Sequence, residues 1–103
     1  MDFLLNVKKS ETILYYSKLK DFKNYVIFAK SIGSVIAAKG IYYKELKPQK
    51  CIFLGMPLVV VKNHNLPFDA WVKNCPAPIL FIQNSKDPLG SFAQVKAYLG
   101  DGS

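Results

Sequence analysis

Apolar positions along this chain gather into three short, nearly unbroken runs: YVIFA (25–29), CIFLG (51–55) and PILFIQ (78–83). A continuous run, rather than an alternation of period two, predicts a strand buried on both faces, as in a parallel sheet. Between the runs the spacing changes to that of helices. SVIAAKGIYYKEL (34–46) predicts a helix stopped by Pro48, with Gly40 costing it about 1 kcal/mol relative to alanine. PFDAWVKN (67–74) predicts a short helix opened by proline. SFAQVKAYLG (91–100) predicts another, with Ser91 as N-cap and Gly100 as its stop. Ahead of the first run, Val7, Ile13, Leu14 and Leu19 fall among charged residues, as on an amphipathic helix over about Asn6–Lys20. In MPLVVVKNHNLP, LVVV reads either as a strand extension or as a loop lining a pocket.

Strands separated by helices require crossover connections, which predicts an α/β fold: a three-stranded parallel sheet with flanking helices. At 103 residues the chain makes a single domain, 1–103, or part of one. Half of the residues are hydrophobic, enough to build a core. No apolar run approaches the ~20 residues that cross a membrane. MDFLLNVKK reverses the basic-then-apolar order of a signal peptide. The expectation is a cytoplasmic protein without a membrane partner.

The net charge of +7 raises the question of nucleic acid, but all the basic residues are lysine. Arginine, the bidentate reader of guanine and phosphate, is absent, and Lys8-Lys9 is the only adjacent basic pair. A solvated lysine-rich surface is expected rather than a nucleic-acid stripe. Cys51 opens an apolar run and reads as a buried thiol, and Cys75 sits before a proline. There is no CxxC and a single histidine, so neither a metal site nor a disulfide framework is expected.

Candidate chemistry lies at the ends of the strands, where sites form in open parallel sheets. Ser31 follows the first strand directly, and Asp87 follows the third by four residues. AKSIG (29–33) sets small residues two before and two after a serine, between a strand and a helix. This motif resembles the G-x-S-x-G nucleophile elbow of the α/β-hydrolase fold, with Ala29 in place of the first glycine and Gly33 as the second. KCIFLGMPL and PAPILFIQNSKDPLG resemble the family's next strand and its acid-bearing loop, so the likeness covers roughly residues 5 to 100.

The resemblance implies a serine hydrolase acting on an ester or other small acyl substrate. Ser31 would be the nucleophile, Asp87 the acid, and Ile32 N–H an oxyanion donor, with no cofactor and no metal. Apart from the resemblance, Met56 reads as core or pocket lining, and the functional reading of His64 is a pocket residue contacting substrate. The family's histidine would follow a further strand, and the early strands would precede Met1. The chain is therefore expected to be a truncated member, inactive by itself, whose first apolar run forms an exposed edge that promotes self-association.

Other readings of the same residues stay open. Ser31 would cap the next helix. Asp87 before Pro88 would make a turn. His64, in KNHN, would be a solvated loop residue or a relocated base, and Lys30 is a less favoured base. Two competing functions follow: a non-catalytic hydrolase-like binding domain, and a phosphate-binding module at the KSIGS helix N-terminus. The latter lacks both G-x-G-x-x-G and a Walker motif.

Overall fold

The computed structural model describes residues 2–5 and 24–100. The helix expected over Asn6–Lys20 lies outside them. The element order is β1 (Asp2–Leu5), β2 (Val26–Lys30), α1 (Ile32–Tyr42), β3 (Lys50–Leu54), α2 (Leu58–Asn63), α3 (Phe68–Lys73), β4 (Ile79–Ile82) and α4 (Phe92–Leu99). All four strands are parallel, in the order β1-β2-β3-β4. The three expected strands are present in an α/β fold, and Asp2–Leu5 joins them as a fourth. The first apolar run is thus not an edge, because β1 pairs with it from Asp2↔Val26 to Leu5↔Ala29. LVVV is neither strand nor loop but most of α2.

Register explains how the core is filled. Ile27 pairs with Cys51 and Ala29 with Phe53, and the latter two pair with Ile79 and Phe81. These residues share one face. Tyr25, Ile27, Ala29, Cys51 and Phe53 are sealed under Val35, Ala38 and Ile41 of α1, Phe68 and Trp71 of α3, and Val95 and Leu99 of α4. Phe53, Phe68 and Phe81 form an aromatic centre, with ring centroids 5.6 to 6.4 Å apart. Small residues let α1 sit close to the sheet: Gly33, Ser34, Ala37, Ala38 and Gly40 are all buried.

The opposite face departs from the expectation of strands buried on both sides. Val26, Phe28, Ile52 and Leu54 are only half-buried, and Leu80 and Ile82 are exposed. The reason lies in the strand order. A sheet that adds each strand on the same side, through crossovers of one hand, stacks its connecting helices on one face. Among the described residues the second apolar face has no helix over it.

Candidate functional site

The carboxyl end of β2 turns into α1 within one residue. Ser31 makes that turn with φ 54° and ψ −128°, in a region side-chain-bearing residues rarely occupy. The turn is held on both sides. Ser31 N–H donates to the Leu54 carbonyl at the end of β3 (2.7 Å), and the Ser31 carbonyl accepts from both Ser34 N–H (3.0 Å) and Ser34 Oγ (2.7 Å). The Ser31 hydroxyl makes no capping bond, so capping is not what the residue does here. The residue itself is partly exposed.

Ile32 heads α1, so its N–H belongs to the first turn, whose donors a helix leaves unpaired. No acidic side chain occupies that turn, and Lys30 stands exposed beside it. The field at the serine therefore favours negative charge, both from the helix terminus and from the lysine.

Asp87 reaches the same end of the sheet. Gly55 follows β3 with φ 62°, which glycine adopts without strain. A Cβ built there would lie 3.5 Å from Asp87 Oδ2. Since Leu54, the preceding residue, holds the Ser31 N–H, the acid loop and the serine turn flank one strand end. The other carboxylate oxygen, Oδ1, accepts from Leu89 N–H (2.9 Å) across Pro88. The turn reading of Asp87 thus holds for one oxygen, while the second faces the strand end.

Gln83, which sequence reasoning passed over as the end of an apolar strand, ties the two loops together. It is buried, and its Oε1 accepts from Met56 N–H (2.9 Å). Its Nε2 donates to the Met56 carbonyl (2.9 Å) and to the Gly90 carbonyl. The exit of β3 is thereby clamped to the loop that carries Asp87. A polar residue closing an otherwise apolar strand was the signal for it, since a buried amide must find partners. Gly90 completes the junction, since a Cβ there would stand 2.8 Å from Leu58 Cβ.

The remaining candidates are elsewhere. Met56 is fully buried in the core and belongs to the packing beneath these loops. His64 is exposed and closes the far end of α2, its N–H donating to Val60. About 10 Å of helix separates it from Pro57, where α2 begins. The structure thus brings Ser31, Ile32 and Asp87 to one end of the sheet, while His64 stands at the C-terminal end of α2 with no hydrogen bond to Ser31 or Asp87. Among the described residues no cluster of His, Cys, Asp and Glu is able to hold a metal ion, and no helix is long and apolar enough to cross a membrane. Comparison with family models, with curated proteins and with solved structures finds no match to this chain.

Proposed function

We propose that this chain carries the nucleophile and acid of a serine hydrolase of the α/β-hydrolase type, acting on an ester or other acyl substrate. The observation that carries the reading is the Ser31 turn: a strained backbone, a hydroxyl not spent on capping, and a helix N-terminus directly behind it. Strain of this kind costs about 1–3 kcal/mol and persists where the surrounding structure enforces it. The turn would present Oγ to a carbonyl carbon. Ile32 N–H would donate to the oxygen as it becomes negative, a contribution of about 2.7–4 kcal/mol in acyl transfer. Asp87 would orient a histidine that accepts the serine proton, and water would then release the acyl group.

The hydrogen bonding favours a second reading for the chain by itself, a non-catalytic binding domain, because no imidazole among the described residues bonds to the Ser31 hydroxyl. A fluorophosphonate probe separates the two, with imidazole in the buffer to serve as the base. The hydrolase reading expects a phosphonyl adduct on Ser31 by mass spectrometry, faster with imidazole and absent from Ser31→Ala. No adduct with imidazole present, or an adduct that survives Ser31→Ala, would remove the nucleophile from Ser31. Without imidazole, ester turnover should fall short by ~10²–10⁴-fold, the usual share of base catalysis.

A further inference from the structure

The amino end of the sheet, opposite Ser31, holds a cleft of about 500 Å³ that the hydrolase reading does not use. Its floor is apolar, from buried Ile41, Leu46 and Pro48, and its exposed rim carries Tyr42, Lys44, Lys47, Asn74 and Pro76. Tyr42 is 41% exposed and Tyr43 58%, their rings meeting edge to face at 5.1 Å. Lys39 and Lys50 flank the same segment, Lys73 closes α3 at this end, and Glu45 is the acidic side chain among them. Lys39 and Lys73 are accounted for by the helix C-termini they occupy. Lys44 and Lys47 lie outside helices and line the cleft.

The rim is fixed before anything binds. Tyr43 N–H donates to Lys39, Lys44 N–H to Ile41, and both Glu45 and Leu46 N–H to the Gly40 carbonyl, at 2.8 to 3.1 Å. Lys47 N–H donates to the hydroxyl of buried Tyr25 (2.6 Å), and Gln49 N–H to the Tyr25 carbonyl (2.8 Å). Leu46 and Pro48 anchor the segment in the interior. A preordered rim lowers the entropy cost of association.

We infer that this cleft docks an acidic peptide segment whose apolar side chains enter the floor while its carboxylates meet Lys44 and Lys47. Charge complementarity selects the acid, and the apolar floor selects a peptide over a polyanion. Nucleic acid fits less well, since the chain has no arginine for bidentate phosphate contacts and the floor is built from isoleucine, leucine and proline. A second copy would bring lysine against lysine.

The test uses fluorescence polarisation of a labelled peptide with leucines set among glutamates. It should bind, weaken as salt rises, and lose affinity by at least about tenfold in Lys44→Glu/Lys47→Glu. Tyr42→Ser should also weaken it, and Lys62→Glu, the same charge change on α2, should leave it unchanged. Circular dichroism confirms that each variant folds. Three results would overturn the inference: no binding, equal loss in Lys62→Glu, or equal affinity for an all-glutamate peptide. Tighter binding of a single-stranded oligonucleotide would replace it with a nucleic-acid site. Fluorophosphonate labelling of Ser31 is read separately, so either proposal is able to fail alone.

Discussion

Ser31 shows how much a single residue position decides. Its φ of 54° with ψ −128° is a glycine conformation held by a side-chain-bearing residue. Ser31→Gly should therefore release roughly 1–3 kcal/mol of strain, offset by about 0.5–1 kcal/mol of lost chain entropy. The expected outcome is a melting temperature that rises while fluorophosphonate labelling disappears. An unchanged or lower melting temperature would show that the turn is not strained. Cys51 makes a second residue-scale case. Burial pushes its thiol up to about 12, with Cys75 as a smaller cause. A thiol raised in the folded state leaves stability constant below the ordinary thiol range and lowers it as pH climbs from there toward about 12. In the native protein at pH 8, iodoacetamide should modify partly exposed Cys75 and spare Cys51 until denaturant is added. Equal labelling of both would contradict the burial.

At the scale of elements, the junction between β3 and β4 matters more than any one helix. Gln83→Leu would leave the Met56 N–H and the Gly90 carbonyl without their partner inside the protein, while the Met56 carbonyl keeps the Leu58 N–H. Each such loss costs about 1–3 kcal/mol, so roughly 2–4 kcal/mol is expected in urea unfolding after partial relaxation. Amide exchange should accelerate first at Met56 and Leu89, where the acid loop meets the strand exit. A loss within experimental error would mean that water replaces the clamp. The α4 helix offers a smaller, independent check. Ser91 and Gln94 form a reciprocal capping box, with bonds of 3.2 and 3.0 Å. Ser91→Ala should cost about 1 kcal/mol by the same measurement.

For the whole molecule, what matters is the apolar sheet face that no helix covers among the described residues. Leu80 and Ile82 are exposed on β4, which ends the sheet, and Phe28, Ile52 and Leu54 continue the apolar surface inward. Contiguous apolar surface beside an unpaired strand edge promotes association. Sedimentation velocity should find the protein self-associating, and Leu80→Lys/Ile82→Lys should shift it toward monomer with little change in melting temperature. A monomeric starting protein would show that the face is covered in solution.

The chain's local grammar was enough to fix several features. Three apolar runs became β2, β3 and β4, Pro67 opened α3, and Ser91 and Gly100 bounded α4, because these signals act over a few residues of backbone. The sharp turn at Ser31 was legible too, since small residues around a serine between strand and helix describe a steric requirement written in neighbouring positions. Tertiary structure alone decided the rest. The valines of LVVV are β-branched yet helical, because α2 turns Leu58 and Val61 into the core. Asp2–Leu5 is too short to announce itself and became a strand through pairing with β2. The apolar runs predicted burial on two faces, but among the described residues the helices lie over one of them, and which face they take depends on the order of the whole sheet. Gln83 is the clearest instance: its importance rests on Met56 and Gly90, brought to it by folding, and side-chain partners distant in sequence leave no local trace.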